Sequence, residues 1–483
     1  MPIEKLMNIP VTPGDLLAIG PISVMFAGAL VVLLAESIFR NGEAWNRWLA
    51  LTGFLAAGTV AFLNTGWSGV AFGGTVATGG FANYCAIVYA SAGALSVLLS
   101  TDYLRKTGIA FGEYYALLMI AVLGMMLMGA ALDLVVFFLG LETMSIAFYV
   151  LAAFARSQGT SNESGLKYFL LGAFATGFLL YGIALVYGTT GTTSIPLIRD
   201  KAPSLIGTPV FTIGLALILI GLLFKIAAVP FHMWAPDVYE GAPTPVSGFM
   251  ATGGKAAAFA AFLVLFRPEV LGGEKGLRDV IAVVAAASMI FGNVVAIAQS
   301  SIKRMLAYSS IAHAGYILVG VVAANATGAN GVLFYLMAYT VMNIGAFGVL
   351  AMVENGAGEN LHFEDYAGLS AQAPVLSLMM ALFMFSLAGV PPFAGFFGKY
   401  YVFAGAIQAG YTWLAIVGVL MSVVSAYYYL RLVVMMYFTA ASASPRRVGK
   451  SSAGLLALGI AVAALVYLGL FPSTIIDVTS RFF

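Results

Sequence analysis

The feature that most limits this chain is a succession of apolar runs, each about 20 residues long, repeated from near one end to the other. A run of that length crosses the hydrocarbon core of a bilayer as a helix, the one single-segment structure that satisfies its own backbone in lipid. Hydrophobic residues make up 61% of the 483-residue chain and charged residues only 9%. Soluble domains carry roughly 25% charge. The sequence therefore reads as a polytopic membrane protein, not a soluble domain with one anchor. A net charge of +2 gives no reason to expect nucleic acid or another polyanion as partner. The single cysteine, Cys85, excludes an intrachain disulfide.

Taken in order, the runs predict about fourteen spans. The first three are Leu16–Ser37, Trp48–Leu63 and Phe81–Ser100. The first follows Glu4, Lys5 and Asp15 and lacks a strongly basic flank and a clear cleavage site, so it reads as a retained helix. Tyr114–Leu132 and Leu134–Phe154 are parted only by Asp133, which demands a tight hairpin. Ser164–Tyr187 is the sixth span, Pro209–Leu223 opens the seventh, and Val246–Phe266 is the eighth. Val280–Ala298, Met305–Ala323 and Val332–Val353 follow, and then an acidic loop with Glu354, Glu359, Glu364 and Asp365. The twelfth span starts after Pro374, is interrupted at Pro391-Pro392 and resumes through Lys399; Trp413–Phe438 and Ala453–Leu470 complete the set.

The expected organisation is an N-terminal three-span unit (1–113), two groups of five spans (114–279 and 280–440) and a C-terminal span (441–483). Two five-span groups in series must be inverted relative to each other. In each, the fourth span is broken and carries a lysine: Lys225 near Pro230 in the seventh, Lys399 near Pro391-Pro392 in the twelfth. Paired discontinuous helices at corresponding positions point to a transport site. The fold class predicted is thus all-α and polytopic, with two inverted five-helix repeats and broken helices 7 and 12. Orientation follows from loop charge: Arg40, Arg47, Arg105, Lys106, Arg156, Lys303, Arg304, Arg446, Arg447 and Lys450 fall on one side. The other side holds Lys5, Arg199, Lys201, Arg267, Lys275, Arg278 and Arg481. The excess on the first side makes it the inner one and puts both termini outside.

Ionisable residues inside the spans carry the chemistry. A lysine at mid-membrane costs about 2.5–3.5 kcal/mol on insertion scales, so it needs a partner, water or a task. Lys255 lies near the middle of the eighth span, too deep to snorkel. Lys225 stands just before the Pro230 break and Lys399 in the resumed half of the twelfth span. Glu142 is well within the fifth span, where a carboxylate stays charged only beside a cation. Lys167, at the start of the sixth span, suits a snorkelling role equally well. His232 and His313 would each alone read as structural; with the lysines they form a set suited to proton exchange near neutral pH. No phosphate loop or dinucleotide fingerprint occurs, and the three histidines are too scattered for a metal or haem site by spacing. Energy must come from an ion gradient or from attached partners.

The stretch from Phe224 to Gly248, FKIAAVPFHMWAPDVYEGAPTPVSG, closely resembles the antiporter-like subunits of respiratory complex I, the NADH:quinone oxidoreductase, which are related to Mrp-type cation/proton antiporter subunits. The resemblance continues through Ile302–Tyr316, Tyr366–Leu369 and Ser386–Lys399, and so covers the fourth to thirteenth spans. Gly140-Leu141-Glu142 with Ser145, a lysine at Lys399 and an end soon after the fourteenth span are most similar to the subunit N branch.

The resemblance implies that Glu142 and Lys225 form an ion pair that tunes the lysine. It further implies that Lys255 passes protons at the centre, that Lys399 serves the exit half-channel, and that His232 and His313 are water-linked relays. It implies a non-redox translocase subunit of a bacterial inner membrane, without a cofactor of its own. NADH, FMN, iron–sulfur clusters and quinone would sit on partner subunits, and the partners would be other membrane and peripheral subunits of complex I. Two readings compete with proton pumping: a cation/proton antiporter using the same lysines, and a passive scaffold whose lysines only satisfy internal contacts.

Overall fold

The computed structural model describes residues 13–39, 42–271, 275–354, 361–440, 449 and 451–482. Glu4, Lys5, Arg40, Glu359, Arg446, Arg447 and Lys450, used above, lie outside the described residues. The chain begins with α1 (Pro13–Ala18), α2 (Gly20–Ile38) and α3 (Gly42–Leu63). A hairpin of β1 (Ser68–Ala71) and β2 (Val76–Gly79) follows. Next come α4 (Gly80–Lys106), α5 (Glu113–Ala130), α6 (Leu134–Ala152), α7 (Gly159–Thr190), α8 (Ile195–Leu205) and α9 (Pro209–Lys225). After α10 (Trp234–Gly241), α11 (Thr244–Phe249) runs through a π-helical turn, Met250–Gly254, into α12 (Lys255–Leu265). The second half holds α13 (Pro268–Leu271), α14 (Lys275–Ile297), α15 (Ile302–Ala323) and α16 (Ala326–Val353). It closes with α17 (Leu369–Gln372), α18 (Pro374–Ala388), α19 (Ala394–Gln408), α20 (Thr412–Phe438), α21 (Ser452–Leu470) and α22 (Ser473–Thr479).

Among the described residues, 11 helical stretches are long and apolar enough to cross a membrane, and α9 and α18 are shorter apolar helices that stop at the breaks. The molecule is a polytopic, mainly helical membrane protein. Its one departure from all-helix among the described residues is the β1–β2 hairpin, in a Gly-rich stretch whose period is too short to read as strand. Gly79 there has φ +80, and a Cβ would stand 1.6 Å from the carbonyl oxygen of Trp67, so no other residue fits. The hairpin bridges to Ala131 at the α5–α6 turn. Asp133 caps α6 by accepting from the Val135 and Val136 amides, and Thr193 donates to its other oxygen.

Two helical hairpins, α5–α6 and α14–α15, pack closely because glycine lets their backbones meet. A Cβ on Gly124 would lie 2.4 Å from the Met144 amide nitrogen, and one on Gly315 2.7 Å from the Ala285 carbonyl oxygen. α15, α16 and the α11–α12 span are enclosed almost completely, whereas α7 and α20 turn Phe174, Tyr181, Val423 and Tyr427 outward, as lipid-facing helices do. The enclosed helices carry Lys255, Lys303 and His313, whereas the buried Lys225 and Lys399 lie on the shorter α9 and α19.

Candidate functional site

Lys255 opens α12 directly after the π-helical turn, a local widening that often marks functional positions inside helices. Its side chain is 1% exposed. The ammonium donates to the carbonyl oxygen of Ser310 at 2.6 Å and to the Ser310 hydroxyl at 2.8 Å. Ser310 sits on α15, and the next turn of that face carries His313, the following one Tyr316. His313 is held at both ring nitrogens: Nδ1 is 2.7 Å from the Tyr335 hydroxyl and Nε2 is 3.0 Å from the Tyr429 hydroxyl. Tyr429 also bonds the hydroxyl of Ser309. Tyr316 accepts from the Asn293 amide at 3.0 Å and presents its ring 4.8 Å from the Lys399 ammonium. One face of α15 thus runs from Lys255 through His313 to Lys399.

Lys399 reaches across the second helix break. Its ammonium donates to the carbonyls of Leu387 and Ala388, the last of α18, at 3.1 and 3.0 Å, and to the Ser422 hydroxyl at 2.8 Å. Helix C-termini leave carbonyls without partners and carry a partial negative charge, so a buried ammonium is well placed there. A cavity of about 650 Å³ between α19 and α20 opens on Lys399, lined by Gly389, Phe396, Phe403, Ser422 and Val423 among others.

Lys225 is the last residue of α9 and 5% exposed. Its ammonium donates to the Ser145 hydroxyl at 2.7 Å and to the Tyr149 hydroxyl at 3.4 Å, both on one face of α6. The rings of Tyr149 and Tyr168 lie 5.4 and 5.6 Å away, within cation–π range.

Comparisons with known proteins show the family of the chain. The family described as "NADH:quinone oxidoreductase/Mrp antiporter, TM" matches residues 131–425, more than half of the chain. The NADH-quinone oxidoreductase subunit N of Trichlorobacter lovleyi is 47% identical, with 93% of this chain and 93% of that protein covered. The NADH-quinone oxidoreductase subunit N 1 of Chloroherpeton thalassium is 45% identical over 97% of this chain and 98% of its own. A chain of respiratory complex I from Thermus thermophilus, solved with bound aureothin, superposes with a TM-score of 0.81 at 34% identity, covering 95% of this chain and 99% of that one.

The chain belongs to the NADH-quinone oxidoreductase subunit N family.

Within this subunit N fold, the residues singled out from the sequence fall into separate groups. Lys255, His313 and Lys399 share the α15 face, while Lys225 and Glu142 form a second cluster; among the described residues no hydrogen bond joins the two. Among the described residues no direct ion pair joins Glu142 to Lys225, although the resemblance implies one. Ser145 and Tyr149, one and two turns further along α6, take the ammonium, and Oε1 of Glu142 is buried without a hydrogen-bond partner. His232 stands in the first break with its ring 4.6 Å from that of Phe291 and its Nδ1 buried and unpartnered. Lys167 lies in none of these groups. It pairs with Glu163 at 2.6 Å and Asp237 at 2.9 Å, and Arg304 bridges Asp237 to Glu240, making a half-exposed ionic network that ties α7 to α10 and α15.

Two buried charges were read from the sequence as loop residues. Lys303 is 3% exposed and Glu354 1% exposed. Lys303 donates to the Ala242 carbonyl at 2.6 Å, and Glu354 accepts from Thr244 at 2.6 Å and Tyr103 at 3.2 Å. Together they pin the start of α11, and so the helix that ends in the Lys255 turn. The hydroxyl partners Ser145, Ser310, Tyr335, Ser422 and Tyr429 were also missed. The signal that could have found Ser310 is the spacing of Ser310, His313 and Tyr316, three residues apart along one helix.

Proposed function

We propose that this chain is a proton-translocating membrane subunit of a complex I-type NADH:quinone oxidoreductase, and that the α15 face is part of its proton path. The observation that carries the reading is the row of exchangeable groups, Lys255–Ser310, His313 with Tyr335 and Tyr429, then Tyr316 and Lys399, through the most enclosed part of the bundle. Lysine, imidazole and hydroxyl groups all both accept and release protons, and water completes the gaps between them. Lys225, with Ser145 and Tyr149 on its ammonium and Glu142 one turn away, acts as the charge that biases entry. Lys399 delivers protons to the cavity between α19 and α20. His232 is an auxiliary exchange site at the first break, and Lys167 takes part only through the network around Asp237.

The finer architecture belongs to the same reading. About fourteen helices cross the membrane, counting α3 and the two broken spans (α9 with α10, α18 with α19), with the boundaries given above at 113, 279 and 440. α5 to α12 and α14 to α20 form two inverted five-helix repeats. The matching glycine-packed hairpins and the two breaks support this. Both termini face the periplasm of a bacterial inner membrane. The subunit holds no cofactor; NADH, FMN, iron–sulfur clusters and quinone lie on partner membrane and peripheral subunits, whose redox reaction drives the buried charges. The test is to purify the chain from its native membranes under mild detergent and follow NADH-dependent quinone reduction in sealed vesicles. Co-purifying flavin and iron–sulfur subunits, with acidification that needs neither sodium nor potassium, is the result expected. A complex without them that exchanges sodium or potassium for protons would replace this reading with the antiporter one.

A further inference from the structure

A cavity of about 760 Å³ lies between α3, α4, α16 and α21. Its wall is apolar and low, built on Ala94, Leu98, Leu456, Ala461 and Ala464, so that small side chains leave the space. One end is different. Arg47 at the start of α3 and Arg105 at the end of α4 both line it there, with Trp48 alongside. Asp102, one turn from Arg105, offsets one of the two positive charges and leaves the mouth cationic. The Arg47 guanidinium lies 5.3 Å from the Trp48 ring centre, and its Nε is buried without a hydrogen-bond partner. Trp48 is 54% exposed. An arginine beside an exposed tryptophan at a helix end is the pattern of the membrane–water interface.

We propose that this groove is a binding site for an anionic phospholipid, its phosphate on Arg47 and Arg105 and an acyl chain along α4 and α21. Length and charge select the occupant. From the level of Arg105 to that of Ser91 on α4 is about 21 Å at about 1.5 Å per residue, which is the depth of one leaflet with its headgroup layer. The single charged end and the apolar remainder match a molecule with one anionic head, and guanidinium groups bind phosphate oxygens in pairs. The site shares no lining residue with the α15 row or the Lys399 cavity and does not depend on the proton-path reading.

The test uses the intact protein in its native complex, with two photoreactive lipids that carry the same diazirine-labelled acyl chain. One is a phosphatidylglycerol and the other a phosphatidylcholine. Peptide mass spectrometry then locates the adducts. With both arginines engaged, phosphatidylglycerol should label residues 80–106 and 452–470 at least about fivefold more than phosphatidylcholine, the preference expected from one arginine near a lipid surface. The double variant Arg47→Gln, Arg105→Gln should bring the two lipids to equal labelling and leave phosphatidylcholine labelling unchanged. Equal labelling by the two lipids on the unaltered protein would overturn the proposal, and that comparison needs no variant to fold. Absence of label in the groove, with a partner-subunit peptide cross-linked there instead, would also overturn it.

Discussion

The two helix breaks solve the same problem in opposite ways. α9 and α18 each end with a residue in the left-handed region, Ala227 at φ +57 and Gly389 at φ +87. At each, the following amide reaches back to the carbonyl four residues before the left-handed residue: Ala228 to Leu223 at 2.9 Å, Val390 to Phe385 at 3.0 Å. What differs is who satisfies the remaining carbonyls. At the first break the indole of Trp234 donates to the Phe224 carbonyl at 2.9 Å, and Trp234 is itself stacked on Tyr168. At the second break that role falls to Lys399, arriving from the next half-helix. A neutral cap at the first break leaves Lys225 free to face α6. At the second break the lysine is both the structural cap and the charge. Position and function are separable in one and fused in the other.

The largest effect should come from crowding the second break. A Cβ at Gly395 would lie 1.9 Å from the Ser386 carbonyl oxygen, a backbone atom that cannot step aside. Gly395→Val should cost on the order of 3 kcal/mol or more and leave little assembled protein on a native gel. No glycine occurs between Ile226 and Ala235, so the first break has no equivalent weak point. Normal assembly of Gly395→Val would show that the second break is looser than described.

Removing each lysine separates the two solutions. Lys399→Met takes the donor from the Leu387 carbonyl and should lower stability by about 1–3 kcal/mol, read as an earlier thermal unfolding midpoint, as well as stopping proton movement. Lys225→Met leaves the Phe224 carbonyl on Trp234, so its midpoint should stay near that of the unaltered protein while translocation falls. Equal destabilisation by the two would dissolve the contrast. A smaller effect is expected from exchanging the residues at the left-handed positions. Gly389→Ala should cost about 1 kcal/mol from backbone conformation and crowd Lys399, whose ammonium would lie 3.1 Å from the new Cβ. Ala227→Gly should change stability by less than about 1 kcal/mol, because relief of the backbone is offset by chain entropy and a lost buried methyl. Thermal unfolding of both variants checks the pair.

These breaks also mark where sequence reasoning stops. The spans were legible because hydropathy over 20-odd residues is a one-dimensional property, and so was the depth of Lys255 within its span. The interruption of α9 and α18 followed from Pro230 and Pro391-Pro392. The partners were not legible, because they come from elements far apart in the chain: Lys399 finds Ser422, Tyr316 faces Lys399, and Tyr429 meets His313 across 116 positions. The pairing of Glu142 with Lys225 is what the family resemblance implies. Ser145 and Tyr149 lie nearer on the same helix face, and hydroxyls give no charge signal in a sequence. Glu354 and Lys303 look like loop charges because they sit at helix ends, where only the packing of α4, α11 and α15 around them shows that they are buried.

The most direct test of the proposed path is the Lys255→Arg variant, assayed in sealed membrane vesicles for NADH-driven quinone reduction and for the proton gradient it builds. Arginine keeps the positive charge and can still reach Ser310, but its guanidinium holds its proton far above neutral pH and cannot release it during turnover. If Lys255 alternates between charged and neutral forms, the complex carrying Lys255→Arg assembles and yet builds little gradient, as Lys255→Met also does. A gradient equal to that of the unaltered complex in the arginine variant would mean that a fixed charge suffices there, and proton exchange at Lys255 would be contradicted.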